Sequence, residues 1–455
     1  MSDPLHPIVI DRLVDLADAA GGRVEFSSGS RSTAESVAIS RVMFDSRSVE
    51  PGDLFVAVVA DRDGHEFASD AIERGASAAL VSLEVDLEAP RILVEDTIDA
   101  LSRLGAAARQ RLSGPVIGVT GSVGKTSTKD LLEAICRRAG VTSASAKSLN
   151  NELGVPLTLV NARRDTERTI IEMGARGAGH IAHLCSIAAP THAVVTAVGM
   201  AHTELFGSLE AVAEAKSELV RALPTNGVAV LNASDPHVVA MAALTDASVL
   251  TFGAGGDVVA ENVTLGDDLR ASFTLHSDWG SAAVTLGVSG AHNVSNALGA
   301  AGAALVTGVP LAEVAAGLGD AVLSPSRMAL HTLPEGGRLI DDAYNANPTS
   351  MRAALDALAA LDASRRVAVL GYMGELGEDA DEQHRLVAVK ARELGIEVVA
   401  IGTDLYGTEP FGDVAEAIRT LPRPSRGEAV LVKASRSAGL ERLVDAWLRQ
   451  DPQMG

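Results

Sequence analysis

Aromatic side chains are scarce: eight phenylalanines, three tyrosines and two tryptophans make up 3% of 455 residues. That excludes a surface of interleaved aromatic platforms for stacking single-stranded nucleic acid. The core must instead come from the aliphatic residues that raise the hydrophobic share to 47%. Positive charge is also short, with 38 Lys and Arg against 59 Asp and Glu and a formal net charge of −21. This balance favours solubility and opposes nonspecific binding to nucleic acid or an anionic bilayer, while leaving room for a few local cations at a nucleotide site. Cysteine is limited to Cys136 and Cys185, both in apolar helical stretches without metal-ligand spacing. They read as small core residues in a reducing compartment, so neither a disulfide nor zinc is expected. No apolar run reaches transmembrane length, and no basic stretch followed by a signal-like apolar segment opens the chain. The expectation is a cytoplasmic protein without stable membrane insertion.

What the chain does contain is a phosphate-type loop. Val116-Ile-Gly-Val-Thr120 is a β-branched run leading into Gly121-Ser-Val-Gly-Lys-Thr126, followed by a helical stretch with Leu131, Leu132, Ile135 and Ala139. Glycines let successive N–H groups and the helix N-terminus face a phosphate, Lys125 adds a charge, and Thr126 offers a hydroxyl to Mg²⁺. The longer pattern with a glycine five positions before Gly124 is not met, because Val119 stands there. The shorter G-x-x-G-K-T favours ATP or GTP over an incidental glycine turn.

Two further strands end in polar groups. Arg168-Thr-Ile-Ile-Glu-Met173 places Glu172 at a strand exit, and Ala193-Val-Val-Thr-Ala-Val198 is followed by Gly199 and His202. Ligands of open α/β sheets bind outside the carboxyl ends of the strands, so these groups and the loop can converge. A helix then starts at Ser208 and stops before Pro224, with an apolar stripe of Leu209, Val212, Leu219 and Leu223 that demands an inward residue at Lys216. One reading has the Lys216 stem packed and its ammonium snorkelling to solvent. The other has a lysine converted by CO₂ to a carbamate that gives oxygen to Mg²⁺.

Along the chain, residues from about 8 to 112 hold an amphipathic start, a polar loop around Ser27 to Ser32 and mixed α/β signals at Asp53 to Val58 and Ala78 to Ser82. From Gly114 to about Leu323 strands and helices alternate, with hairpins over Val258 to Val288. Beyond, strands at Arg338 to Asp341, Arg366 to Leu370, Glu397 to Ile401 and Ala429 to Val432 alternate with helices such as Met351 to Leu361. That alternation predicts a Rossmann-like domain. Taken alone, His292, Asn293 and Asn296 read as caps of an Ala-rich helix, and Asp45-Ser46-Arg47 and Asn150-Asn151 as turns. Asp379, Asp381 and Glu382 read as a solvated face.

The ordered set of strings resembles the Mur ligase family: Thr120 to Thr126, Asn150-Asn-Glu-Leu-Gly-Val-Pro156, Glu172-Met-Gly-Ala175, Gly199-Met-Ala-His202 with Glu214-Ala-Lys216, Gly290-Ala-His-Asn293 with Asn296, and Asp341-Asp-Ala-Tyr-Asn-Ala-Asn-Pro348. It runs from Asp45-Ser-Arg47 to Lys433-Ala-Ser-Arg436, essentially the whole chain. Tyr344 to Pro348 with Ser350-Met351, and Leu370-Gly to Glu375-Leu-Gly377 with His384, are most similar to the branch that adds a D-alanyl-D-alanine dipeptide.

The resemblance implies an α/β, three-domain architecture. Residues 1–112 would bind a UDP-sugar substrate, 113–323 would form a central P-loop ATP-binding domain, and 324–455 a Rossmann-like C-terminal domain for the incoming dipeptide. It implies ATP and Mg²⁺ as cofactors, UDP-MurNAc-tripeptide and D-Ala-D-Ala as substrates, and a monomer. Catalytic roles would fall to Lys125, Glu172, His202 and Lys216. ATP would be held by Gly121, Ser122, Val123, Gly124, Lys125, Thr126, Ser127, His292, Asn293, Asn296, Arg327 and Asp342. Mg²⁺ would be held by Thr126, Glu172, His202 and carbamylated Lys216, and substrates by Asp45, Ser46, Arg47, Asn150, Asn151, Tyr344 and Asn347. Departures from the family pattern are Ala434 and Ser326 in place of glycine, and Tyr372 in place of aspartate. If Ala434 or Ser326 took positive φ, each would cost about 1 kcal/mol. A sister ligase, a P-loop kinase and a noncatalytic nucleotide-binding scaffold are the alternatives. An apolar stripe that incorporates Lys216 has no purpose in a kinase.

Overall fold

The computed structural model describes residues 11–26, 37–146, 148–199 and 206–449. Its contacts divide into two compact units, one of Met1–Gly118, Gly140–Gly174 and Ile181–Thr191, the other of Val119–Ala139, Ala175–His180 and His192–Gly455. The polar loop expected around Ser27 to Ser32, and His202, lie outside the described residues.

In the first unit a five-stranded sheet runs in the order Arg23–Glu25, Arg91–Leu93, Ala78–Val81, Asp53–Val56, Arg41–Met43. Its central strands are parallel and every residue of Asp53–Val56 and Ala78–Val81 is buried. Burial on both faces is why these segments read as unbroken apolar runs rather than alternating ones. Asp53, the polar exception, is 1% exposed and is paired with Arg41 at 2.7 Å. Helix Thr97–Arg109 begins at Asp96, whose carboxylate accepts from the N–H groups of Ile98 and Asp99, both at 2.8 Å. Its Gly105 lies flush on Pro156 of helix Gly154–Val160, where any Cβ would collide.

A six-stranded sheet carries the residues of interest. In chain order its strands are β1 (Val116–Thr120), β2 (Thr142–Ala144), β3 (Arg168–Glu172), β4 (His192–Val195), β5 (Val228–Asn232) and β6 (Ser248–Phe252), and the spatial order is β6-β5-β4-β1-β3-β2. Helix α1 (Lys125–Ala139) follows β1, α2 (Leu209–Arg221) precedes β5, and α3 (Asn293–Val306) is the Ala-rich helix. Alanine and glycine on α3 let it approach closely, and α1 packs against both α3 and helix Leu311–Asp320. Between β6 and α3 the expected hairpins form a three-stranded antiparallel sheet of Val259–Leu265, Arg270–Ser277 and Gly280–Ser289.

The last sheet contains β7 (Ala329–Thr332), β8 (Arg338–Asp341), β9 (Arg365–Leu370), β10 (Glu397–Ala400) and β11 (Glu428–Lys433), in the order β7-β8-β11-β9-β10. Only β7 is antiparallel to its neighbour. One face is covered by α4 (Pro348–Ala360) and α5 (Ala380–Glu393) through Met351, Leu355, Leu358 and Val387, the other by Val414, Leu440, Leu443 and Trp447. Helices on both faces of a nearly parallel sheet are the doubly wound arrangement expected from the sequence. In that sheet β11 lies between β8 and β9, so three strand exits adjoin: Asp342 to Ala346, Gly371 to Leu376 and Lys433 to Ser435.

Candidate active site

The phosphate loop is fixed by what lies directly beneath it. Gly121 has φ 148° and Gly124 φ 82°, conformations that L side chains rarely adopt. Space forbids a side chain as well: a Cβ at Gly121 would strike Thr196 Oγ1, and one at Gly124 would strike Asn296 Oδ1. Ser122 N donates to Ala197 O at 2.7 Å, and Ser122 Oγ donates to Gly199 O at 3.0 Å, so the loop is laced to the segment leaving β4. The Lys125 ammonium donates to Gly121 O. Thr126 is 3% exposed at the start of α1, among the orphan N–H groups of the helix N-terminus that suit an anion.

Lys216 is 2% exposed on α2, between the buried Val212, Ala215, Leu219 and Val220. Ser208 caps this helix as expected, accepting from Ala211 N at 3.2 Å. The ammonium does not snorkel. Burial, with a smaller contribution from the neighbouring Lys125 charge, lowers the Lys216 pKa to about 7. A lysine so placed is divided between its charged and neutral forms near neutral pH, and the neutral amine is the one that reacts with CO₂.

In the first unit Glu172 is 1% exposed at the end of β3. Asn150 Nδ2 donates to Glu172 Oε1 at 2.8 Å, which fixes one carboxylate oxygen. Gly174 N donates to Asn150 O at 2.8 Å, and a Cβ at Gly174 would stand 2.9 Å from Asn150 Oδ1. The Asn150 amide therefore needs glycine there to reach Glu172.

Residues 119–304 match the Mur ligase middle domain, and residues 326–451 match the Mur ligase glutamate ligase domain. A UDP-N-acetylmuramoyl-tripeptide--D-alanyl-D-alanine ligase of Mycobacterium bovis is 41% identical, over 90% of this chain and 92% of its own. The chain belongs to the Mur ligase family. Among solved structures, MurF from Acinetobacter baumannii is 33% identical with a TM-score of 0.84, covering 98% of this chain and all (100%) of that one. MurF from Thermotoga maritima, in complex with ADP, is 29% identical with a TM-score of 0.76, covering 90% and 96%.

Other candidate residues of this Mur ligase are committed to local contacts. Asn293 Nδ2 donates to Ser289 O and Asn296 Nδ2 to Asn293 Oδ1, both at 2.8 Å, while Thr128 Oγ1 donates to Asn296 Oδ1 at 3.4 Å. The capping reading of this trio fails at His292, which makes no side-chain cap, and the two amides bond sideways instead. Asp342 accepts from Lys433 Nζ at 2.5 Å and from Met328 N at 3.1 Å, so each of its oxygens already has a donor. The Arg327 guanidinium stacks over Tyr344 at 4.2 Å, with Arg436 at 5.7 Å from the same ring. Arg327 is flanked by Ser326 and Met328, both left-handed at φ 57° and 54°. Ser326 thus takes the positive φ considered from the sequence. Ala434 does not, and the alanine there is unstrained.

Asn347 N-caps α4 in a capping box with Ser350, accepting from Ser350 N at 2.9 Å. Asn151 Oδ1 accepts from Gly154 N at 3.1 Å at the start of helix Gly154–Val160. Asp45 caps a short 3₁₀ turn and pairs with Arg47 at 2.9 Å, an Asx-type turn that leaves the Arg47 side chain 82% exposed and Ser46 buried. The sequence alone gives no role to Thr196 or Asn232, which hold these loops from below. Lone polar residues at the ends of apolar strands carry no spacing signal. Only their place in the strand-exit layer marks them.

Proposed function

We propose that this chain is an ATP-dependent ligase joining D-alanyl-D-alanine to UDP-N-acetylmuramoyl-tripeptide, giving UDP-MurNAc-pentapeptide, ADP and phosphate for peptidoglycan precursor synthesis. The similarity to the M. bovis ligase over nine tenths of both chains carries this reading. The ADP complex of the T. maritima relative supports a nucleotide at the loop. The residues at the strand exits suit the chemistry. A carboxylate cannot be displaced by an amine directly, so its oxygen first attacks the γ-phosphorus and ADP leaves. The dipeptide amine then attacks the acyl carbon, and the tetrahedral adduct collapses with loss of phosphate. Such phosphoryl transfer needs positioning and charge neutralisation more than covalent help.

In this scheme Lys125 and the loop amides of Gly121 to Ser127 hold the β- and γ-phosphates. His292, Asn293, Asn296, Arg327 and Asp342 surround the nucleoside. Asp45, Ser46, Arg47, Asn150 and Asn151 contact the UDP-sugar peptide, and Tyr344 and Asn347 border the dipeptide. Among the described residues no group of three or more His, Cys, Asp or Glu gathers to hold a metal. Mg²⁺ prefers oxygen donors and retains waters and substrate phosphates as ligands, so Thr126 and Glu172 are of the type it would take. His202 and carbamylated Lys216 complete the proposed donor set. Bound Mg²⁺ would neutralise phosphate charge. Domains at 1–112, 113–323 and 324–455, a cytoplasmic location and a monomeric state belong to the same reading. No helix of the described residues is long and apolar enough to cross a membrane.

The test is phosphate release from ATP with UDP-MurNAc-tripeptide, with and without D-Ala-D-Ala, alongside mass detection of the product. Dipeptide-dependent release with pentapeptide formed is the expected result. Turnover only with a single amino acid or another acceptor would replace this reading with a sister ligase.

A further inference from the structure

We infer that Thr196 is a positioning residue for the nucleotide, acting through the carbonyl groups of the phosphate loop. It stands just beyond β4, 5% exposed, and its hydroxyl donates to Val123 O at 2.6 Å, with Thr120 O at 3.2 Å as the weaker acceptor. The peptide group is planar and trans, so the N–H of Gly124 points opposite to the carbonyl of Val123. Pulling that carbonyl down onto Thr196 turns the Gly124 N–H up to the open side of the loop. The Thr120 carbonyl is held by the backbone N–H of Thr196 at 3.0 Å, which orients the Gly121 N–H whatever the side chain at 196. A phosphate loop binds through such N–H groups, and preorganising them removes the cost of turning peptide planes when the anion arrives.

Three observations fit this role. The Gly121 backbone passes so close to Thr196 that no Cβ fits between them, so the glycine and the threonine are a matched pair. Thr196 is itself held, because Asn232 Nδ2 at the end of β5 donates to Thr196 O at 2.7 Å while Asn232 Oδ1 accepts from Ser234 N at 2.9 Å. The segment after Thr196 is fixed in turn, with Val198 N donating to Asp235 Oδ2 at 2.7 Å and Gly199 N to Ser122 Oγ at 3.0 Å. A buried threonine serving only to fill space would not need its hydroxyl aimed at the Val123 carbonyl. Valine has nearly the same shape and would fill that space without the cost of burying a hydroxyl.

The inference rests on the ATP-dependent reading above, and its test separates the two. Binding of ADP with Mg²⁺ to the full chain is measured by titration calorimetry for wild type, Thr196→Val and Thr196→Ser, with thermal unfolding and the steady-state constants for ATP and D-Ala-D-Ala alongside. The valine should weaken ADP about tenfold or more and raise KM for ATP in step, the scale of one lost hydrogen bond plus a stranded carbonyl. KM for the dipeptide should not move, Tm should fall by no more than about 3 °C, and serine should return ADP affinity to within about threefold of wild type. Valine with wild-type ADP affinity would overturn the inference. So would a loss that serine does not restore, or one that merely follows a fall in Tm. Wild type that binds no nucleotide would overturn the ATP-dependent reading as well.

Discussion

Replacing Lys216 with methionine removes a buried charge and keeps an unbranched side chain of similar length, so the variant should be more stable than the wild type, and by an amount that depends on pH. Burial lowers the Lys216 pKa from 10.5 to about 7. Below about pH 7 the ammonium is charged in both folded and unfolded chains, and the full desolvation cost is present. That cost is on the order of 5 kcal/mol, because each tenfold loss of proton affinity corresponds to about 1.4 kcal/mol. Between about pH 7 and about pH 10.5 the unfolded chain holds a proton that the folded chain lacks, so the wild type gains stability as pH rises. From about pH 6 to about pH 9 the recovery is about 3 kcal/mol. The assay is denaturant unfolding of both proteins at those two pH values, in CO₂-free buffer with a chelator so that the lysine carries neither carbamate nor metal. Subtracting the variant from the wild type cancels other titrating groups distant from the substitution. The variant's advantage should shrink by about 3 kcal/mol on going to the higher pH, and ligase turnover should be lost in the same protein. An advantage that stays constant across this range would refute the reasoning, because an uncompensated buried lysine cannot avoid the proton linkage.

Gly124→Ala puts a methyl against Asn296 Oδ1 at a residue with φ 82°; ADP affinity by calorimetry should fall at least about tenfold while far-UV circular dichroism is unchanged. Lys433 is 2% exposed and serves both Asp342 and Asn345 O. Asp342→Asn should therefore destabilise the C-terminal portion by about 3 kcal/mol, and Asp342→Asn with Lys433→Met by clearly less, as read by denaturant midpoints in a double-mutant cycle. Asn347→Ala removes half of the capping box on α4, for a loss of about 1 kcal/mol by the same unfolding assay. A larger change in KM for the dipeptide than in stability would instead place Asn347 at the substrate.

Much of the scaffold could be read from periodicity. The strand Val116–Thr120, the cap at Ser208 and the inward place of Lys216 follow from β-branched runs, side-chain oxygen before a helix and a 3.6-residue stripe, all local signals. Boundaries slipped where a neighbour rather than the chain decided them. The helix read as starting at Met351 begins at Pro348, because Asn347 and Ser350 close a capping box that no hydrophobic pattern announces. The strand from Ala193 ends at Val195 rather than Val198, because Thr196 to Gly199 turn aside to bond Asn232, Asp235 and Ser122.

The candidate site divides in the same way, and the division has a physical cause. Glycines, the loop lysine and the residues at strand exits announce themselves because a ligand demands particular types at particular spacings. The groups that hold them do not, since one hydroxyl under a carbonyl can come from any strand the sheet order brings alongside. Here β4 lies beside β1 although the stretches between them in sequence include β2 and β3. Gly121 therefore makes sense only after folding, when Thr196 is found in the space its side chain would have filled. The same holds for Gly124 under Asn296 and Gly174 under Asn150. A glycine in a phosphate loop is usually credited to its freedom of φ. In this protein three glycines at or near the proposed site are also fixed by the polar side chain packed against them. Exchanging such a side chain for an apolar one of equal volume should leave the glycine requirement intact while removing the orientation it provides.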